Sequence, residues 1–236
     1  MNVFVMEIAN IKFKVSCLYD STRLFCREYI IEDDDYDFYI EMNDELIQKE
    51  KEYITDGIEY KDEYLETIAL YRRIGEIIPS YDGFVLHGAA IEYKNKCIVF
   101  VAPSGTGKTT HINLWRKHLP DLKIINGDKP IIRLIDDKPY VFGTPWMGKE
   151  HIGNNSSCLL NSVVILKRGD SDCIKKVNKA DYIQDLLSKV YISRLETFDL
   201  IDRVYKNIDV YEFHCTMNES AFITCFEKLM GEKYEG

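Results

Sequence analysis

Near the amino terminus the apolar positions recur every second residue, as in Ile11-Lys12-Phe13-Lys14-Val15 and Phe38-Tyr39-Ile40-Glu41-Met42. With Arg27-Glu28-Tyr29-Ile30-Ile31 between them, this period predicts short strands of a half-exposed antiparallel sheet. The acidic run Glu32 to Asp35 reads as a solvated turn between two of them. The period then changes. Asn43 or Asp44 is suited to cap a charged helix running to about Ile54. Tyr60 to Ile78 carries Leu65, Ile68, Ala69, Ile74 and Ile77 at helical spacing, and Pro79 ends it. A boundary at Pro79 to Gly83 divides a β-rich and helical N-terminal region, residues 1–80, from a second unit, residues 81–236.

From Phe84 onward strands dominate. Phe84 to Tyr93 and Cys97 to Val101 read as two strands paired across the Lys94-Asn95-Lys96 turn. A polar loop follows, then a helix carrying Ile112, Leu114, Trp115 and Leu119. Further strands are expected at Leu122 to Ile125 and Ser162 to Leu166, with a hairpin of Ile131 to Ile135 and Pro139 to Phe142 joined at Asp136-Asp137. Helices are expected at Lys179 to Val190 and Thr197 to Asn207, then a strand at Val210 to Cys215 and a closing helix at Glu219 to Met230. Hairpins mixed with strand–helix units predict an α/β protein of the α+β, mixed-sheet kind rather than a doubly wound parallel sheet. The chain has no internal repeat.

The polar loop between strand and helix, Ala102-Pro103-Ser104-Gly105-Thr106-Gly107-Lys108-Thr109-Thr110, has the order of a phosphate-binding loop in the setting that motif requires. Gly105 and Gly107 let successive backbone N–H groups turn inward on phosphate oxygens, and the helix N-terminus adds its positive dipole end. Lys108 is suited to the β- and γ-phosphates and the Thr109 hydroxyl to Mg²⁺. Ala102 stands where glycine is usual, at the loop entrance, where a methyl group fits.

A carboxylate is needed near the transferring phosphate. Asp128 in Ile-Ile-Asn-Gly-Asp-Lys-Pro follows a strand end at Gly127 and is the candidate general base and Mg²⁺ ligand, against the plainer reading of an Asx turn before Pro130. His87 in Leu-His-Gly-Ala-Ala is either structural or a neighbour of the transferring phosphate, because its strand adjoins the one feeding the loop. Gly143-Thr-Pro-Trp-Met-Gly-Lys-Glu150 is a third cluster, with Lys149 offered to phosphate or, alternatively, only a turn around Trp146. His111 is expected to pack against the site, and His118, His151 and His214 have no zinc-ligand spacing.

Bulk properties narrow the field. A net charge of −9 argues against a nucleic-acid surface. No apolar run is long enough to span a bilayer, and Met1 to Asn10 lacks a charged segment leading into an apolar one, so neither signal peptide nor membrane anchor is expected. Seven scattered cysteines without Cys-x-x-Cys read as small, mostly buried residues of a reducing, cytoplasmic protein.

His87-Gly88, then Ser104 to Thr110, then Asn126-Gly-Asp128, in that order, resemble the P-loop kinase core shared by HPr kinase/phosphorylase and ATP-dependent phosphoenolpyruvate carboxykinase. The likeness is greatest to HPr-kinase-like peptide kinases, including lasso-peptide kinases, through His111-x-x-x-Trp115, Asn-Gly-Asp and the Gly-x-Pro-Trp-x-Gly-Lys-Glu segment. It covers about residues 84 to 170. The resemblance implies contacts of Lys108 with the β- and γ-phosphates, Mg²⁺ on Thr109 and Asp128, Asp128 as base and His87 beside the transferring phosphate. HPr kinase has adjacent aspartates where this chain has Gly127-Asp128, and the Arg- and Pro-rich signature of bifunctional HPr kinases is absent. The function so implied is ATP- and Mg²⁺-dependent transfer of the γ-phosphoryl group to a hydroxyl, foremost a Ser of a peptide or protein. A small-molecule kinase and a non-catalytic nucleotide-binding regulator are the alternatives. Some members of the family are oligomers, which leaves a homo-oligomer open for this chain.

Overall fold

The computed structural model describes residues 2–103 and 105–235. The alternating N-terminal stretch forms a four-stranded sheet in the order β3-β1-β2-β4. Its strands are β1 (Asn2–Ile8), β2 (Ile11–Cys17), β3 (Ile30–Ile31) and β4 (Phe38–Glu41). The sheet is mixed, because β2 and β4 run parallel while β1 pairs antiparallel with β2 and β3. A short helix, α1 (Asp20–Phe25), precedes a single 3₁₀ turn at Arg27–Tyr29, so most of the strand expected at Arg27 to Ile31 is helical instead. Burial explains the difference, since Tyr29 is driven into the core and the turn delivers it there.

Two helices come next, α2 (Asp44–Glu52), capped by the Asn43 side chain, and α3 (Asp62–Ile77). Helix α3 lies across the first sheet. Its buried Glu66 carboxylate accepts the N–H groups of Leu18 and Tyr19 and the Thr22 hydroxyl, which supplies partners for backbone donors that water cannot reach. The same apolar cluster runs from Met6, Phe13 and Ile40 through Leu70 and Ile74 of α3 to Val85, Ile131, Phe142 and Trp146, so the N-terminal region is packed against the second unit.

The remaining strands are β5 (Gly83–Leu86), β6 (Ala89–Tyr93), β7 (Lys96–Val101), β8 (Lys123–Asn126), β9 (Ile131–Ile135), β10 (Lys138–Phe142), β11 (Ser157–Arg168), β12 (Cys173–Lys176), β13 (Val190–Tyr191) and β14 (Asp209–Cys215). They make a mixed ten-stranded sheet whose main path is β13-β5-β9-β10-β11-β7-β6-β8, with β14 beside β11 and β12 beside β14. The expected single strand Phe84 to Tyr93 is broken at His87-Gly88. Strand β5 pairs with β9, whereas β6 pairs with β7 and β8. Gly88 permits the crossing, because a methyl group there would meet Val99 Cγ1 at 2.9 Å and the Phe100 carbonyl at 3.0 Å.

Strand β11 is much longer than the apolar run Ser162 to Leu166 suggested, because it starts against β10 and continues between β7 and β14. Successive residues of β7 face opposite layers. Ile98 and Phe100 pack under α4 (Lys108–His118) and α7 (Glu219–Met230), and Val99 and Val101 under α5 (Ile183–Leu187) and α6 (Glu196–Lys206). Burial on both faces is why these strands read as unbroken apolar runs. The helix expected at Lys179 to Val190 is shorter, being a 3₁₀ turn, then α5, then β13, which hydrogen-bonds to β5. The sulfurs of Cys97 in β7 and Cys158 in β11 meet across the neighbouring strands, while Cys17, Cys26 and Cys225 are buried free thiols. Among the described residues no helix is long and apolar enough to cross a membrane.

One buried titratable group tests this core. His111, in the first turn of α4, packs among Phe100, Trp115 and Phe213, and its Nε2 accepts the Trp115 indole N–H at 3.0 Å. The ring proton must then sit on Nδ1, which is buried without a partner. Burial lowers the imidazole pKa from its ordinary 6.5 to about 4. The unfolded chain therefore takes the proton first, and stability present above pH 6.5 is lost as pH falls toward 4. At about 1.4 kcal/mol per pH unit the loss is roughly 3 kcal/mol. His111→Gln, which keeps an acceptor for the indole, is expected to flatten the stability profile between pH 6.5 and 4 in urea titrations. An equal loss in both proteins would assign the acid sensitivity elsewhere.

Candidate active site

The loop between β7 and α4 opens into a cavity of about 920 Å³. Gly105 and Gly107 adopt φ values of 75° and 113°, in the left-handed region, with nothing within 4 Å of where a Cβ would stand. That combination leaves the loop open over the helix N-terminus, and Gly107 caps α4. Pro103, Thr106, Lys108, Thr109 and Thr110 all line the cavity, while Ser104 falls outside the described residues. The Ala102 methyl is buried with Phe100 and Ile112, so a core contact occupies the position where the motif usually has glycine. Arg168, at the end of β11, donates to the Gly105 carbonyl and holds the loop from the far side.

Opposite the loop, Asn126 fixes the position of Asp128. Its fully buried side chain accepts the N–H groups of Asp128 at 2.8 Å and Lys129 at 2.7 Å through Oδ1. Its Nδ2 donates to the Thr144 carbonyl at 3.0 Å and hydroxyl oxygen at 3.1 Å, and Thr144 in turn donates to the Lys129 carbonyl at 2.8 Å. The Asx turn is thus present, and it aims the next carboxylate into the cavity.

Three nitrogens surround that carboxylate. Asp128 Oδ1 lies 3.1 Å from His87 Nε2 and 3.5 Å from Lys108 Nζ, and Oδ2 lies 3.9 Å from Lys129 Nζ. His87 reaches it because the chain crosses there, with its N–H bonded to the Lys189 carbonyl at 2.6 Å and the Gly88 N–H to the Asp128 carbonyl at 2.9 Å. Burial works to raise the Asp128 pKa, but the His87 hydrogen bond and the charges of Lys129 and Lys108 outweigh it and hold the carboxyl below its ordinary value. Burial lowers the pKa of Lys108 and of Lys129, and Asp128 opposes it in both. Among the described residues the buried Lys108 ammonium has no acceptor closer than Asp128 Oδ1 at 3.5 Å. A buried cation in that state is a site for anionic oxygen.

Lys149 is on the cavity rim, exposed, and not drawn into this cluster. Its segment has a different task. Trp146 is buried, and Gly148 at φ 81° passes so close that a Cβ there would come 3.0 Å from Asp128 Cβ. Sequence reasoning gave no role to Lys129 or Arg168 and took Asn126 only as part of the Asn-Gly-Asp motif. Lys129 beside Asp128 and the Asx-turn position of Asn126 two residues ahead of it were signals available in advance, whereas the Arg168 contact with Gly105 joins segments far apart in sequence. His118, His151 and His214 are dispersed, and the described residues contain no group of three or more His, Cys, Asp or Glu side chains able to hold a metal ion. A Mg²⁺ ion carried largely by phosphate oxygens and water needs no such cage, and Thr109 and Asp128 border one cavity that could receive it.

The missing neighbouring aspartate has a steric explanation. A methyl group on Gly127 would stand 2.8 Å from the Met147 carbonyl and 2.9 Å from that of Ile152. Gly127→Ala is expected to cost about 1–3 kcal/mol in urea unfolding, and Gly127→Asp at least as much. A Gly127→Asp protein as stable as wild type would mean that the 147–152 segment yields freely.

No family model and no curated protein matches the chain. Among solved structures it is similar to the Hpr(Ser) kinase/phosphatase from Coxiella burnetii, at 8% identity and a TM-score of 0.34, over 62% of this chain and 93% of that one. A likeness of that degree decides nothing about activity, so the case rests on the site.

Proposed function

We propose that the protein is an ATP- and Mg²⁺-dependent kinase that transfers the γ-phosphoryl group to a hydroxyl, foremost a Ser of a peptide or protein. The observation that carries this reading is the buried Lys108 ammonium, whose nearest acceptor among the described residues is Asp128 Oδ1 at 3.5 Å, beside an open loop with two left-handed glycines. Lys108, the loop amides and the α4 N-terminus are suited to the charge of a triphosphate tail. Lys129 adds a second cation beside the same carboxylate. Thr109 and Asp128 would hold Mg²⁺, which would neutralise charge on the phosphate oxygens.

Asp128 has two states in this scheme. In the free protein its three nitrogen neighbours depress its proton affinity. A phosphate that engages Lys108 withdraws one of them and brings negative charge close, which raises the carboxylate's basicity, while Mg²⁺ on the same carboxylate would oppose that rise. The acceptor O–H then gives its proton to Asp128 while its oxygen forms the new P–O bond and ADP departs. His87 keeps the carboxylate oriented throughout.

Mg²⁺-ATP is expected to raise the melting temperature of the wild type, and Lys108→Ala to abolish most of that shift. Identical responses would remove the loop from nucleotide binding. Asp128→Asn is expected to lower phosphoryl transfer, or intrinsic ATP hydrolysis, by at least about a hundredfold while metal-free nucleotide binding changes little. Near-normal turnover in that variant would favour the regulator alternative, with hydrolysis incidental.

A further inference from the structure

The cavity extends well beyond what a phosphate needs, and its far wall is built by the N-terminal region. Tyr64, Ile68 and Tyr71 lie on one face of α3 at i, i+4 and i+7, and Phe25 of α1 and Trp146 continue the surface. Trp146 is locked in place, with its indole N–H donating to the Thr67 carbonyl at 2.9 Å and its ring 5.4 Å from Tyr71 and 6.0 Å from Phe25. We infer that this wall binds the phosphoryl acceptor, and that the acceptor is a peptide segment with an apolar or aromatic side chain beside the reacting hydroxyl. The inference rests on the kinase reading above.

Four observations lead there. First, the wall is continuous with the site: Tyr64, Ile68 and Tyr71 line the same cavity as Lys108 and Asp128. Second, no wall residue is charged. The charged neighbours on α3 are engaged elsewhere, Glu66 with the Leu18 and Tyr19 N–H groups and Arg72 with Glu50 at 2.6 Å, so a charged metabolite or a strongly charged peptide finds no partner on this face. Third, Tyr64 to Tyr71 spans about 10 Å of helix, which matches about three residues of extended peptide rather than one small alcohol. Tyr64 at the outer end is 51% exposed and stacked on Tyr60 at 5.3 Å, so a chain can continue outward.

Fourth, the nucleoside has a place of its own. An adjoining cavity of about 530 Å³ shares Thr106, Gly107, Thr110 and Met217 with the first, is also lined by Leu114, and does not reach Asp128, His87 or Lys108. A nucleotide whose γ-phosphate lies at Lys108 can put its base and ribose there, which leaves the aromatic wall to the second substrate.

The test uses the full chain and short peptides with a central Ser flanked either by Leu and Phe or by Lys and Glu. Each is prepared as substrate and as a fluorescein-labelled Ser→Ala analogue for anisotropy. The apolar peptide is expected to show a KM at least about tenfold below that of the charged one, since one buried apolar side chain is worth that much. Ile68→Glu should raise that KM about tenfold or more, weaken the analogue equally and leave the KM for ATP in place. Ile68→Ala, with a smaller shift in the same sense, serves if the charged variant fails to fold. Equal KM values for the two peptides, or indifference to both substitutions, would overturn the wall as acceptor site while leaving the kinase reading intact. Phosphorylation of a small polyol with no binding of either peptide would do the same. Tight, Ile68-dependent binding of the apolar analogue with no transfer to its Ser form would uphold the wall and defeat the kinase reading.

Discussion

A single carboxylate set between two lysines and an imidazole is the constraint on which the site depends. Asp128 is half-buried between Lys108, Lys129 and His87, and none of these groups is cheap to bury alone. Each lysine is tolerated because the carboxylate is there, and the carboxylate is kept ionised because the lysines are. The Asn126 network, Gly127, Gly148 and the Gly88 crossing all serve to hold that group within 4 Å of the carboxylate. The arrangement leaves net positive charge facing an open cradle, and this is what an anionic ligand would meet.

Much of the secondary structure could be read from periodicity. Helices α3, α6 and α7 fall where apolar spacing put them, because each buries one stripe against a sheet. The errors have a common cause. Arg27 to Ile31 and Phe84 to Tyr93 have strand-like residues throughout, but whether they pair depends on a second segment far away in sequence. At His87-Gly88 the partner changes from β9 to β7, and no local pattern announces such a change. The length of β11 and the Cys97–Cys158 contact are hidden for the same reason.

The site divides along the same line. Loop residues 103–110 and Asp128 were legible because a compact motif and a strand-end acid carry their own context. His87 was ambiguous as a lone histidine and became a neighbour of Asp128 only through the crossing. Lys149 lines the cavity at its exposed rim, a position that its spacing from the glycines did not disclose. The aromatic face of α3 was seen only as helix, because its spacing serves both for packing and for lining a cavity.

The crossing at His87-Gly88 and the double pairing of β11 also bear on motion. The hairpin half of the large sheet, β13-β5-β9-β10, and the half that carries the loop, β7-β6-β8, are joined covalently through residues 86–89 and by hydrogen bonds along β11, whose pairing with β7 shifts register between Leu160 and Ser162. A hinge between the halves would have to break the ladder within β11. Rigid-body closure of the kind seen in two-lobed enzymes is therefore denied to this framework. Any opening and shutting around substrate falls to short segments, such as the loop ahead of α4 and residues 147–152, riding on a chassis that does not bend.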